Sequence, residues 1–189
     1  MTETSPESGY LDAARDCIVQ VGWRRTTLTD IARKAGVSRM TIYRRWPDMQ
    51  TLLADLLVRE WSELLLDSGL AGGDAATTRE QLARGITGMV GALRENALFL
   101  RIIEVDPELL HPYLFERIGR NQKWILELTE EYVRTGQADG SVRAGDPHVL
   151  AHALLLTTYG FVLSAHTLDV PADQLDTELQ ALVERYLQP

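Results

Sequence analysis

An all-α protein is predicted by two observations: apolar residues recur at three- and four-residue steps along almost every segment, and the Gly and Pro breakers fall between those segments. A third observation divides the chain. Its net charge is -8, yet residues 1–47 carry eight Lys and Arg against five Asp and Glu, whereas residues 48–189 carry eleven against twenty-two. A basic module on an acidic body confines contact with a polyanion to one end. The expected architecture is an N-terminal three-helix domain, residues 1–47, and a larger C-terminal helical domain, residues 48–189, with about nine helices in all.

The elements follow in order. MTETSPESGY has neither a basic start nor an apolar core, so it is expected to be a frayed tail and not a signal peptide. The first helix is expected from about Ser8 to Val21, with Leu11, Ala14, Ile18 and Val21 on one face and Gly22 as its stop signal. Cys17 shares that apolar side and is read as a small buried hydrophobe; a single cysteine excludes an internal disulfide. A second helix starts after Thr27, with Asp30 three residues on completing a capping box. Gly36 supplies the left-handed turn, Ser38 caps a third helix, and Pro47 ends it near Trp46.

Asp48 caps a fourth helix, whose stripe of Leu52, Leu53, Leu56, Leu57, Trp61, Leu64 and Leu65 makes it a connecting rod. Ser68 to Thr77 is small and Gly-rich, a loop. Helices are then expected around Arg79 to Arg94, near Ala97 to Val105, from Pro107 to about Thr135, from Pro147 to about Leu168, and from Pro171 to about Leu187. Gly136 to Asp146, with three glycines, is read as a loop. No apolar run reaches the roughly 18 to 20 residues of a membrane span, so no membrane partner is expected and cytoplasmic residence is the default.

The richest stretch is Thr27 to Trp46, TLTDIARKAGVSRMTIYRRW, two short helices around a glycine-centred turn. Arg24, Arg25, Arg33, Lys34, Arg39, Arg44 and Arg45 oppose one acid, Asp30, within Arg24 to Arg45. Such a unit lays its second helix in the major groove of double-stranded DNA. Ile31, Ala32, Ala35, Val37 and Ile42 are small apolar residues that let the two helices cross closely. Thr27 and Ser38, at helix starts, are positioned for phosphate oxygens. Base reading falls to Arg39, Met40, Thr41 and Arg44: an arginine can bond guanine O6 and N7, and Met40 or the Thr41 methyl can touch a thymine methyl. Which arginine reads a base and which binds phosphate stays open, and Arg45, Arg24 and Arg25 are assigned to the backbone or solvent.

On these residues the stretch TTLTDIARKAGVSRMTIYRRW, followed by an amphipathic helix with paired leucines at its start, resembles the DNA-binding domain of the TetR family. The resemblance covers roughly the first 65 residues; the remainder is similar in length and helical character alone. It implies a ligand-responsive transcriptional regulator, a repressor that binds a palindromic operator as a homodimer and is released by a small-molecule effector. It also implies that Tyr43 contacts phosphate. Two positions depart from the family pattern: Trp46 stands where relatives commonly have Phe, and Met49 where they commonly have a phosphate-binding lysine, a contact for which Arg45 is the candidate substitute.

The window from His148 to Leu163 is apolar nearly all round, which a helix with a solvent face cannot be. One side on the core and one on a second subunit accounts for it, with the final helix as partner. The expected dimer surface therefore comprises Leu155, Tyr159, Val162, Leu179, Leu182 and Tyr186, and two-fold symmetry would match half-sites about 34 to 36 Å apart. Trp61, Asn121, Trp124, His152 and Tyr159 are candidates to line an effector pocket, being aromatic or polar interruptions of apolar stripes; taken singly, each reads better as a core aromatic or a satisfied polar group. His148 and His152 have the four-residue spacing of a metal pair but lack an evident third ligand, so they are read as interface or core histidines and no metal is expected. Glu130 and Glu131 are read as a solvated helix edge. No cofactor and no catalytic residue is expected, since nucleophile elbows, phosphate loops and paired catalytic carboxylates are missing by motif. The rival reading is a helical small-molecule-binding or scaffolding protein whose helix-turn-helix no longer binds DNA.

Overall fold

The computed structural model describes residues 6–68, 70 and 75–189. Among them are ten α-helices: α1 Pro6–Val21, α2 Leu28–Lys34, α3 Arg39–Arg45, α4 Met49–Asp67, α5 Thr78–Glu95, α6 Ala97–Val105, α7 His111–Phe115, α8 Arg120–Ala138, α9 Pro147–Leu163 and α10 Ala172–Leu187. The all-α expectation holds. Part of the tail and of the Gly-rich stretch from Ser68 to Thr77 lies outside the described residues.

The chain forms two compact units, one of Met1–Glu60 with Asn96–Arg120 and one of Trp61–Glu95 with Asn121–Pro189. In the first, Ala14 and Ile18 of α1, Leu28 and Ile31 of α2, Ile42 of α3, Trp46, Leu52 and Leu56 of α4, and Leu98 and Ile102 of α6 bury one another. Burial of each such side chain contributes about 1.5 to 3 kcal/mol, so this small unit owes much of its cohesion to α4 and α6. Cys17 is buried in the same core, and that burial raises its thiol pKa, in keeping with a hydrophobe's role. The second unit packs α5 against α9 and α10, with Leu82 and Val90 of α5, Val133 of α8, Leu150 and Leu154 of α9, and Leu179, Val183 and Leu187 of α10 inside.

The segment expected as one helix from Pro107 to Thr135 is three pieces. Pro107–Leu109 is a 3-10 turn, α7 carries Pro112 in its first turn, and residues 116–119 leave the helix before α8 begins. Pro112 lacks an N–H and its ring obstructs the preceding turn, which is why the helix cannot run through. The count is therefore ten among the described residues instead of nine. At the other end α8 continues through Gly136 to Ala138. Gly136 is there for close approach and not as a breaker: a Cβ on it would come within 2.4 Å of a Val142 methyl. Likewise α9 stops at Leu163, and Ala165–Thr167 forms a 3-10 turn where the helix was expected to continue to Leu168.

Candidate nucleic-acid interface

The interface is built from short-range chemistry. Thr27 Oγ1 accepts the Asp30 N–H at 3.2 Å while Asp30 Oδ2 accepts the Thr27 N–H at 3.2 Å, which closes the capping box. The Thr27 hydroxyl also donates to that carboxylate at 2.6 Å, and this bond above all holds Asp30 below the usual carboxylate range. Gly36 takes φ +68°, the left-handed geometry that the turn needs. Ser38 then caps α3, its Oγ accepting the Thr41 N–H at 3.2 Å and lying 3.0 Å from the Thr41 hydroxyl.

With Ile42 wholly buried, α3 turns Arg39, Met40, Tyr43 and Arg44 outward. Met40 is 68% exposed. Thr27 and Ser38 are exposed as well, and Thr41 is half-buried. Of the residues expected to read bases, Arg39, Met40 and Arg44 are thus exposed on α3 and Thr41 is partly covered.

The basic residues separate sharply. Arg24 pairs with Glu108, Arg33 with Asp30 at 2.7 Å, and Lys34 with Asp16 at 3.0 Å. Arg45 donates to Glu7 at 2.7 Å and stacks on the Trp46 ring, 5.5 Å from its centre; the Glu7 bond raises the guanidinium pKa further. By contrast, Arg25, Arg39 and Arg44 have no hydrogen bond or ion pair among the described residues. Guanidinium groups that are solvated and unpaired can reach bases or phosphates without first breaking an internal contact.

Two features here are absent from the sequence reading. Trp46 does more than enlarge an aromatic plug: its indole N–H donates to Asp55 of α4 at 2.9 Å, a bond that phenylalanine cannot make. Asp106, at the end of α6 and only 1% exposed, accepts the Trp23 N–H at 2.7 Å and the Arg24 N–H at 3.4 Å. The carboxylate therefore anchors the loop between α1 and α2. No local motif signals a contact that spans 83 residues. Met49 is half-buried against the first unit's core, so its side chain is spent on packing.

In the second unit, burial raises the pKa of the Tyr159 hydroxyl, which accepts a hydrogen bond from Gln122, next to Asn121 on α8. His152 Nδ1 lies 2.7 Å from the His148 carbonyl. Trp61 and Asn121 are half-buried, and Trp124 is exposed.

Of the expected dimer residues, Leu182 and Tyr186 are exposed, and Leu155, Tyr159 and Val162 are half-buried. Leu179 does not stand on that surface: it is fully buried in the core of its own unit. Val149 and Leu156 of α9, 58% and 68% exposed, stand outward instead. The bareness of an otherwise apolar helix is thereby explained: Leu150, Ala151 and Leu154 point in, while Val149 and Leu156 point out.

Comparison with known proteins adds the following. The model for bacterial regulatory proteins of the tetR family matches residues 11–56. An uncharacterized HTH-type transcriptional regulator of Mycobacterium tuberculosis strain H37Rv is 37% identical over 94% of this chain and 92% of its own. The HTH-type transcriptional regulator AqdR of Rhodococcus erythropolis is 30% identical over 80% and 70%. Among solved structures, the transcriptional regulator FadR from Bacillus subtilis, in complex with stearoyl-CoA, is similar with TM-score 0.71 and 18% identity, covering 95% of this chain and 98% of its own. A protein of unknown function from Rhodococcus sp. RHA1 is similar with TM-score 0.74 and 20% identity, covering 100% and 98%.

Proposed function

The chain belongs to the TetR family of helix-turn-helix transcriptional regulators, and from that premise we propose that it is a homodimeric repressor whose operator affinity is lowered by a small-molecule effector. The observation that carries the DNA contact is the outward face of α3, where Arg39 and Arg44 are unpaired and Met40 and Tyr43 are exposed beside them. Arg39 and Arg44 read base edges, Met40 and the Thr41 methyl meet thymine, and Thr27, Ser38, Tyr43 and Arg45 contact phosphates. Of these, Arg45 must exchange Glu7 for its phosphate.

Functionally, residues 1–47 form the DNA-binding module and residues 48–189 the ligand-binding and dimerisation module. The exposed apolar strip of α9 and α10 supports an isologous two-fold contact, which presents two copies of α3 to a palindrome. The FadR structure with stearoyl-CoA supports an effector of small-molecule class for this fold, and Tyr159, Asn121, His152, Trp61 and Trp124 are the residues proposed to meet it. An effector releases the operator only if it binds the DNA-free form better than the DNA-bound form. Such a protein carries out no catalytic step and works in the cytoplasm; among the described residues no helix is long and apolar enough to cross a membrane.

A gel-shift with a palindrome from the protein's own promoter region tests this. Sequence-preferring, salt-sensitive binding is expected, and replacing Arg39 and Arg44 by Ala should cost about 1 to 3 kcal/mol each while leaving the dimer intact. If the unaltered chain shows no such binding, it is instead a helical ligand-binding or scaffolding protein; if it binds and the double variant binds equally well, Arg39 and Arg44 are not the residues that read the operator.

A further inference from the structure

The second unit joins two histidines of α9 to a carboxylate of α8. Glu130, His148 and His152 each offer a ligand atom, and the three atoms lie within 4.8 Å of one another. We propose that these residues form a binding site for a divalent transition metal ion of the zinc class.

The donor set is the first argument. Two imidazoles and one carboxylate make a three-ligand site of the kind that leaves a fourth position for water or for a donor from another molecule. His148 is largely exposed, so that position has access to solvent. The orientation of the ligands is the second. His152 Nδ1 sits 2.7 Å from the His148 carbonyl, an arrangement that places the N–H there and leaves the lone pair on Nε2 for a metal. Glu130 is held likewise: Arg134 Nη2 donates to Oε2 at 2.7 Å, and Oε1 faces His148 Nδ1 at 2.7 Å. Glu131 shares the Arg134 charge at 3.6 Å.

The fit is close. Zinc bonds of about 2.0 to 2.2 Å in tetrahedral geometry set neighbouring ligand atoms roughly 3.3 Å apart. From their present spacing, within 4.8 Å of one another, the three atoms would have to settle at that distance, the Glu130–His148 pair opening by about half an ångström as a metal replaces the hydrogen they share. The two rings, 4.1 Å between centres and inclined at 48°, already stand side by side. Sequence alone shows the histidine pair; Glu130 lies 18 residues upstream on another helix, so only the fold completes the set.

The experiment uses the full chain, stripped with a chelator and titrated with Zn2+ against a chromogenic competitor, with Co2+ substitution as a spectroscopic readout. One equivalent per chain and a visible Co2+ band of tetrahedral intensity are expected. His148→Ala, His152→Ala and Glu130→Gln should each weaken binding at least tenfold and diminish the band, whereas His111→Ala, which removes a histidine of the other unit, should leave both unchanged. Zinc should also raise the thermal midpoint of the unaltered protein, reversibly with chelator, a readout that needs no variant to fold. Binding that survives the His148 and His152 substitutions, or a midpoint indifferent to zinc, overturns the site. Neither result touches the DNA-binding reading.

Discussion

Asp106 shows how much a single side chain can decide. Its carboxylate is the acceptor for two backbone N–H groups of the loop that leads into α2, in a nearly dry environment. Asp106→Ala leaves both donors unsatisfied and should cost about 1 to 3 kcal/mol in urea unfolding, with Asp106→Asn, which keeps one acceptor oxygen, costing less. Asp139 works by charge: the Ser141 hydroxyl, the Thr78 hydroxyl and the Ser141 N–H lower its pKa to about 2 from an ordinary 3.8. A lowered folded-state pKa means that its stabilisation is complete above the unfolded value and is lost as pH falls through about 2. In Asp139→Asn the decline in stability between roughly pH 4 and 2, followed by circular dichroism, should therefore be shallower. At this scale sequence reading succeeds where partners are neighbours. Thr27 with Asp30, and Ser38 with Thr41, are three apart and were legible; Asp106 with Trp23, and Trp46 with Asp55, are tertiary and were not.

Elements are read well when their breakers mean what breakers usually mean. The starts of α2 and α3 follow from the capping residues Thr27 and Ser38, and the end of α3 from Pro47, and the structure has them there. Reading failed where one residue type has two uses. Pro112 sits inside an apparently continuous stripe and breaks it, and Gly136 has the look of a stop yet admits Val142 against a helix that runs on. The apolar periodicity of α9 was informative because it was missing: a helix apolar all round needs two covered sides, and the chain covers one. If a second copy covers the other, Leu156→Glu should shift the protein from dimer to monomer in light scattering while its helical signal is retained. A monomer that binds a half-site only weakly would follow, since two linked contacts are then reduced to one.

For the whole molecule, charge and packing draw different borders. Charge and motif divide the chain after residue 47, whereas packing assigns the beginning of α4, all of α6 and α7, and the intervening turn to the unit that contains α3. The acidic excess of residues 48–189 repels DNA, which focuses attraction on the N-terminal module. Operator binding should accordingly weaken steeply between 50 and 200 mM salt, with a log–log slope near -0.9 per phosphate neutralised, and Arg45→Ala, which removes a phosphate contact, should make that slope shallower.

The grip of Asp106 on the Trp23 amide has a consequence for anyone wishing to rewire such regulators. A hybrid that grafts residues 1–47 onto a relative's body transplants the loop but leaves its acceptor behind. A graft that also carries residues 96–120 brings Asp106 with it, and Glu60 with Asn96 if the first cut is moved to residue 60. The second hybrid should melt higher and hold its operator at temperatures where the first has let go, a difference that differential scanning fluorimetry would read directly. Modularity in this molecule is thus a property of two stretches of chain taken together, and the portable cassette is discontinuous.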